Sequence, residues 1–151
     1  MVNFSSEKWF SESSFYPYEI GSSMRFSSEN SASLSRAPSS PGNKKTFTWS
    51  GWVKLCKAAS MRLFGSGTAT DEVTDLHIDG TGGNLRFRDK SGDNLRKETT
   101  ASLRDPSSWY HIVCAVDVTQ ASNSNRVKLY INGTLQTAFD QDDTFVDRNT
   151  Y

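Results

Sequence analysis

The chain has 151 residues, 35% of them hydrophobic, and its 17 basic residues balance its 17 acidic residues to a formal net charge of zero. This length is typical of one domain that can bury a core without metals or disulfide bonds. The charge balance gives no reason to expect a nucleic acid or an anionic membrane as partner. No apolar run approaches the roughly 20 residues of a membrane span. The N-terminal stretch MVNFSSEKWF has an acidic residue where a signal peptide is apolar, so we expect a soluble domain without a secretion signal.

Two cysteines, Cys56 and Cys114, lie far apart without a CxxC motif or a histidine-rich neighbourhood. A disulfide framework or a zinc site would show more cysteines or paired ligands. Cys114 falls within an apolar run, where a free cysteine behaves as a small hydrophobic residue. We therefore predict two reduced thiols, with Cys114 in the core. The alternative, a nucleophilic cysteine paired with His77 or His111, has no local motif in its support.

Apolar and polar residues alternate with a period of two along much of the chain, which predicts β-strands and little helix. The clearest strands are predicted at residues 47–55, 109–117, 126–132 and 134–139. In the first of these, Trp49 falls on the apolar face and Trp52 on the polar face. Between the last two lies Asn132-Gly133, a pair typical of the type I′ turn of a hairpin.

Shorter strands are predicted at residues 22–26, 31–35, 62–64, 73–78 and 84–88. Turn clusters such as APSSPG, SGDN and DPSS, and the glycines of GSG at residues 65–67, separate them. Many short strands with frequent turns are typical of an antiparallel β-sandwich. After Phe139 the sequence offers no further long alternating strand, so we expect a sandwich that is incomplete at its C-terminus. A missing strand would leave unpaired backbone groups for a partner to cover.

Several stretches make the chain similar to a known family. They read FYPYEI at residues 15–20, SLSRAPSSPGNKKTFTWSGWVK at residues 33–54, and WYHIVCAVD with NRVKLYING between residues 109 and 133. They resemble the concanavalin A-like, laminin G-type jelly-roll module of marine bacteriophage virion proteins, which include tail fibre-like proteins. The resemblance implies an all-β, antiparallel jelly-roll sandwich over residues 19–151, and relatives continue with further strands that this chain lacks. It also implies a location in the virion, with other virion subunits as partners.

Residues 1–18 precede that module and carry aromatic side chains among serines without any periodicity. Exposed aromatic residues on an arm usually mark a docking element. We therefore expect an aromatic N-terminal arm that packs on another chain of the particle.

The concanavalin A-like fold also occurs in glycosidases, whose retaining members place two carboxylates roughly 5–5.5 Å apart. The chain has no E-x-D-x-x-E motif. Its nearest acid cluster, at residues 71–75, lacks that spacing and lies beside a glycine-rich turn, which is typical of a solvated loop. We therefore expect no enzymatic activity.

Asp75, His77 and Asp79 alternate, so on a strand they would project from one face, where carboxylates and an imidazole can bind a divalent cation. The competing interpretation, which we favour, is the polar outer face of a strand whose inner face is apolar. The resemblance adds Ca²⁺ as a candidate cofactor, since laminin G-like domains often bind calcium at a rim of loops. Residues 140–143 form a second acid cluster, but the sequence does not supply the roughly six to eight oxygen ligands that calcium needs.

Aromatic rings are natural sugar-binding groups, because their flat apolar faces match the C–H face of a pyranose. Trp52 and Tyr130 are predicted to project among polar neighbours and are our candidate ligand-binding residues, with packing as the default alternative. Trp49 and Trp109 are predicted to point inward. The resemblance makes His111 a framework position with a hydrogen-bonded core imidazole.

These observations favour a non-enzymatic, lectin-like module of a bacteriophage particle that recognises a polysaccharide of the host surface. Stacking and hydrogen bonds would give weak contacts, which repeated copies on one particle convert into avidity. The alternative is a purely architectural capsid or tail protein that contacts neighbouring subunits and has no glycan ligand.

Overall fold

The structure is a computed structural model that describes residues 21–40, 42–57, 59–67, 73–90 and 95–145. The chain divides into two units, Met1–Ser39 and Ser40–Tyr151. The predicted N-terminal arm of residues 1–18 lies outside the described residues.

The described part of the first unit, residues 21–39, has one turn of 3-10 helix at Ser28–Asn30 and no strand. The strands predicted at residues 22–26 and 31–35 are therefore wrong. The largest apolar side chains of these segments are exposed, namely Met24, Phe26 and Leu34. The alternation of small polar and apolar residues in this serine-rich stretch therefore does not mark a buried face.

In the second unit, the described residues form nine strands and one short helix. The strands are β1 Thr46–Lys54, β2 Met61–Gly67, β3 Val73–Ile78, β4 Asn84–Asp89, β5 Leu95–Ser102, β6 Trp109–Asp117, β7 Val127–Ile131, β8 Thr134–Leu135 and β9 Phe139–Asp142, and the helix is α1 Asn123–Arg126. They build a four-stranded sheet in the order β1-β6-β7-β8 and a five-stranded sheet in the order β2-β3-β4-β5-β9, with antiparallel pairing throughout. No helix among the described residues is long and apolar enough to cross a membrane.

The two sheets pack face to face around one hydrophobic core. Ile112 and Leu129 contribute to it from the four-stranded sheet, and Leu76 and Phe87 from the five-stranded sheet, all of them almost fully buried. Burial of apolar surface between two sheets is the main stabilising term of such a sandwich. The predicted all-β, antiparallel sandwich is confirmed.

The alternation of apolar and polar residues predicted the bounds of the central strands to within one residue. β3 and β6 have the predicted bounds, and β1 and β4 differ from the predicted strands by one residue at their ends. Trp49 packs against the core as predicted. β2 is longer than predicted and runs through Gly65 and Gly67, because its backbone pairs with β3 and needs no side chains to do so.

The predicted hairpin turn is confirmed, but the strand after it is only partly correct. Asn132 and Gly133 have φ values of 50° and 79°, the positive values that a type I′ turn requires. The turn joins β7 to β8, which ends at Leu135. The chain then leaves this sheet and forms β9 beside β5 in the other sheet. The segment predicted as one strand at residues 134–139 thus crosses between the sheets.

β5 and β9 are strands that alternation did not predict, because they place polar groups on the core side. Lys97 is 2% exposed. Its Nζ lies 2.8 Å from Asp142 Oδ1 and 4.1 Å from the centroid of the Phe139 ring. A lysine in a core position is compatible with folding when a partner compensates its charge, and here both partners come from a strand more than 40 residues away in the chain.

We expect Gly133→Ala to lower the free energy of unfolding by about 1–2 kcal/mol, since an L-residue is strained at φ +79°. A Cβ at Gly133 would meet nothing within 4 Å, so the cost is purely one of backbone conformation. Gly42→Ala is the matched control, because its Cβ also has open space while its φ is not positive. Urea unfolding of both variants measures the difference, and equal stability would contradict the turn assignment.

Candidate functional site

The alternation of side chains along each strand shows which residues form the outer face of the four-stranded sheet. Successive side chains of a strand point to opposite faces, and β6 buries Ile112, Cys114 and Val116. The odd-numbered residues of β6 therefore face outward, and the pairing with β1 and β7 adds outward-facing neighbours on both sides. We call the following outward-facing side chains the aromatic face: Trp52, Trp109, His111, Tyr130 and Leu135.

Trp52 and His111 lie opposite each other on β1 and β6 at the centre of the aromatic face. Their ring centroids are 5.0 Å apart and their planes are tilted by 33°, within the range of aromatic contacts. His111 Nε2 lies 3.1 Å from Ser50 Oγ, and the His111 backbone N–H donates to Asn132 Oδ1 at 2.9 Å. The predicted core position of His111 is wrong, because the strand directs its imidazole outward. Trp52, stacked on this anchored ring, is 54% exposed.

Trp109 and Tyr130 extend the aromatic face on either side of this pair. Trp109 is 49% exposed, so the prediction that it points inward is wrong. Tyr130 is half-buried and lies opposite Val113 on one side and the exposed Leu135 on the other. The structure thus places both predicted ligand-binding residues, Trp52 and Tyr130, on one face.

Among the residues described here, the strands of this sheet contain one acidic residue, Asp117. Its Oδ1 accepts a hydrogen bond from Thr119 Oγ1 at 2.6 Å and its Oδ2 accepts one from Gln120 Nε2 at 2.6 Å. These hydrogen bonds lower the pKa of Asp117. The carboxylate therefore caps the turn after β6.

A cavity of about 400 Å³ lies at the end of the sandwich where β1 ends. Leu55, which lines it, directly follows Lys54, and Lys54 pairs with Trp109 in the last rung of the aromatic face. The core residues Leu55, Ile78 and Leu103 line the cavity, so it lies on the core side of the sheet and outside the aromatic face. Its volume falls within the range of roughly 300–1,000 Å³ that is typical of small-ligand sites.

The outer face of the five-stranded sheet has a different, charged character. Asp75 is fully buried. Its carboxylate lies 2.8 Å from His77 Nδ1, 2.5 Å from Arg88 Nη2 and 3.0 Å from Arg62 Nη2. Burial alone would raise the pKa of Asp75, but the hydrogen bonds from His77 and Arg88 outweigh it and lower the pKa from 3.8 to about 2.

Asp75 and His77 lie on the outer face of β3, opposite the core residues Leu76 and Ile78, but this polar face is not solvated. Both residues are buried, because arginine side chains from the neighbouring strands lie against the carboxylate and satisfy its charge. Asp79, the third predicted metal ligand, lies just beyond β3. Its Oδ2 accepts hydrogen bonds from the backbone N–H groups of Gly82 and Thr81, at 3.0 Å each, and these bonds lower its pKa.

The acid cluster at residues 140–143 forms part of β9 and the segment after it. Asp142 pairs with Lys97, and Asp143 Oδ2 accepts a hydrogen bond from the Arg96 backbone N–H at 2.8 Å. Among the residues that the structure describes, no group of three or more His, Cys, Asp or Glu side chains could hold a metal ion. In the described structure these carboxylates act as ion-pair and hydrogen-bond partners within the fold.

Both cysteines are free thiols, and Cys114 is buried as predicted. Burial raises the pKa of the Cys114 thiol to about 12. A nucleophilic cysteine needs a lowered pKa and access to solvent, so Cys114 serves as a small hydrophobic core residue.

Sequence reasoning identified Trp52 and Tyr130 but missed Trp109. The signal was present in β6, because an apolar series at Ile112, Cys114 and Val116 places every odd-numbered residue on the other face. The stacking of Trp52 on His111 had no such signal, since it depends on the register between two strands more than 50 residues apart.

The chain was compared with known protein families, curated proteins and solved structures. A family model described as the concanavalin A-like lectin/glucanases superfamily matches residues 26–150. No curated protein and no solved structure matches the chain. The matched residues include all nine strands described above, arranged as two antiparallel sheets around one core. The chain therefore belongs to the concanavalin A-like lectin/glucanase superfamily.

Proposed function

We propose that the protein is a non-enzymatic, lectin-like module that binds a polysaccharide on its aromatic face. The observation that carries this proposal is the exposure of two tryptophans on one sheet face, 54% for Trp52 and 49% for Trp109. Large rings are buried by default, so two half-exposed indoles on adjacent strands leave apolar surface for a ligand. A pyranose ring presents a flat C–H face that such an indole can cover.

The acidic groups favour binding over glycoside hydrolysis. A glycosidase needs two carboxylates on either side of the scissile bond. On the strands of the aromatic face, as far as the structure describes them, Asp117 is the acidic residue, and its oxygens are engaged by Thr119 and Gln120. Stacking and hydrogen bonding are therefore the chemistry that this face supports.

The resemblance to modules of marine bacteriophage virions supports a place in the phage particle, with other virion subunits as partners. In that setting the ligand would be a polysaccharide of the host surface. Single shallow contacts are weak, but many copies on one particle would bind with high avidity. Detection of the chain by mass spectrometry in purified particles would test this location, and its absence from them would contradict it.

We expect Trp52→Ala to weaken polysaccharide binding by about tenfold or more, because it removes the central ring of the aromatic face. Binding of the purified, folded chain to a polysaccharide panel, with and without calcium, measures the effect. Trp52→Phe is the matched control, since it retains a stacking ring and should keep most of the affinity. The exposed position of Trp52 predicts little change in unfolding free energy for either variant. Unchanged binding by Trp52→Ala would contradict the proposed site.

A purely architectural role is the second candidate, and exposed apolar residues of the first unit favour it. Met24, Phe26 and Leu34 are all more than half exposed, and exposed apolar side chains often mark protein contacts. This role predicts self-association or association with a major virion protein, together with indifference to sugars. Folded protein that binds no polysaccharide but assembles would favour it over the lectin-like role.

A further inference from the structure

Successive outward-facing rungs of the four-stranded sheet carry the aromatic rings of the aromatic face. A rung is a set of residues that lie opposite one another on neighbouring strands. One rung holds Trp109, and the next holds Trp52 opposite His111. The rung after that holds Tyr130 opposite Val113. Trp109, His111 and Val113 are alternate residues of β6, so the three rungs follow one another along that strand.

The geometry of β6 sets the spacing of these rungs. Alternate residues of an antiparallel strand are about 7 Å apart, so the rungs of Trp109 and Tyr130 are about 14 Å apart along the strand. That length is comparable to about three sugar units of an extended polysaccharide. A ligand that runs along β6 therefore meets the aromatic side chains of all three rungs, whereas a ligand that crosses the strands meets those of one rung.

The central rung is tied to the hairpin turn before any ligand binds. The His111 backbone N–H donates to Asn132 Oδ1 at 2.9 Å, and the Asn132 backbone N–H donates to the His111 carbonyl oxygen at 2.8 Å. On the other side of the rung, His111 Nε2 lies 3.1 Å from Ser50 Oγ. Trp52 packs on this imidazole. A side chain that is already positioned loses little conformational entropy on binding, which favours affinity.

The charges on and near these rungs balance. Lys54, opposite Trp109, is the one Lys, Arg, Asp or Glu that the described strands place on the three rungs. The loop that leads into β6 at the same end carries the negative charge of Asp105, whose pKa is lowered to about 2 by hydrogen bonds from serines. Farther along the strands, Lys128 and Asp117 are also of opposite sign. Such a face has no charge surplus that would select an ionic ligand.

We propose that the ligand is a neutral, extended polysaccharide that lies along β6, with about three consecutive sugar rings against Trp109, Trp52 and Tyr130. This inference rests on the proposed function and names the ligand class and its orientation. An extended chain keeps successive rings in one line, so each ring can meet its own aromatic side chain. A coiled chain turns its rings away after the first contact, and a single sugar reaches one rung.

The test uses neutral oligosaccharides of one to six units with two chain shapes. Cello-, xylo- and β-1,4-linked manno-oligosaccharides are extended, whereas malto-oligosaccharides coil. Isothermal titration calorimetry with the full chain measures the affinity. We expect the affinity for at least one extended series to rise about fivefold to tenfold with each of the second and third units and then to level off. The malto series should gain less than about twofold per unit.

Variants of the two outer rungs should shorten this length dependence. Trp109→Ala and Tyr130→Ala each remove one end of the row, so the affinity should level off after two units. Trp109 is 49% exposed, so its variant should remain folded even if the half-buried Tyr130 proves necessary for stability. Lys128→Ala is the matched control, because it alters the next rung, which has no aromatic ring. It should change the affinity by less than about twofold.

The outcomes separate this inference from the proposed function. Equal affinity for one and three units, equal affinity for malto- and extended oligosaccharides, or a length dependence unchanged in Trp109→Ala would overturn the row of contacts. If that binding is lost in Trp52→Ala, the lectin-like role remains intact. Folded protein that binds only charged members of the polysaccharide panel would overturn the neutral ligand and leave the same role. Folded protein that binds no oligosaccharide and no member of the panel would reject both.

Discussion

Replacing Phe87 with alanine is expected to lower the free energy of unfolding by about 3–5 kcal/mol. Phe87 lies on β4 and is 2% exposed. Its ring centroid is 6.5 Å from that of Phe47 in the opposite sheet and 5.5 Å from that of Phe145 in the segment after β9. Loss of the ring would leave a cavity where both sheets and this segment meet, and the surrounding strands can close it only in part. The midpoint of urea unfolding measures the loss.

Phe26→Ala is the matched control for this change, because it removes the same ring at an exposed position of the first unit. We expect it to change the free energy of unfolding by no more than about 0.5 kcal/mol. Phe87→Leu keeps most of the buried volume and should cost less than about 1.5 kcal/mol, so it remains measurable if the alanine variant does not fold. Equal stability of Phe87→Ala and Phe26→Ala would contradict the core described here.

The second large effect is expected for Asp75→Asn, which should lower the free energy of unfolding at neutral pH by about 2–3 kcal/mol. The fully buried carboxylate holds His77, Arg88 and Arg62 at hydrogen-bond distance. An amide at this position provides a weaker, uncharged acceptor and leaves the guanidinium groups without their counter-charge. Thermal or urea unfolding near pH 7 measures the change. Asp140→Asn, at an exposed aspartate of β9, is the control and should have little effect.

The pH dependence of stability provides an independent check on Asp75. Its pKa is lowered on folding from 3.8 to about 2, so the unfolded chain binds this proton more readily than the folded one. The stabilisation is therefore fully present above pH 4 and is lost as the pH falls from about 4 to about 2. It amounts to about 2 kcal/mol by linkage. The difference between the wild type and Asp75→Asn should narrow over this range, and a constant difference down to pH 2 would contradict the buried ion pair.

The strands of the core were predictable because each shows its own apolar face in the local sequence. β6 alternates around Ile112, Cys114 and Val116, and its bounds agree with the prediction. The turn at Asn132-Gly133 was predictable for the same local reason, since these two residue types accept the positive φ that a type I′ turn needs.

The strands that escaped prediction depend on partners that are distant in the chain. Lys97 can occupy a core position of β5 because Asp142 and Phe139 of β9 compensate its charge. Alternation predicted strands at residues 22–26 and 31–35, but these segments form none, since no apolar face is buried there. A pattern of period two is therefore insufficient without a surface to pack against.

The candidate site shows the same division. Trp52 and Tyr130 could be assigned to a polar strand face from the sequence. Trp109 could have been assigned to the same face, because the even-numbered residues Ile112, Cys114 and Val116 of β6 are apolar and the odd-numbered ones face the other way. The contact between Trp52 and His111, and the position of Tyr130 beside them, depend on the register of three strands. The burial of Asp75 and His77 was likewise beyond local reasoning, because it depends on arginines from neighbouring strands.

The sequence by itself determined the all-β class, the central strands, the hairpin turn and the identity of the aromatic side chains that could meet a ligand. These features follow from side-chain alternation and local backbone preference, which act between residues that are close in the chain. Only the tertiary structure decided which polar residues are buried and which aromatic rings share a face. Both depend on contacts between strands that are distant in sequence, where a shift of one residue in register would turn every side chain to the opposite face.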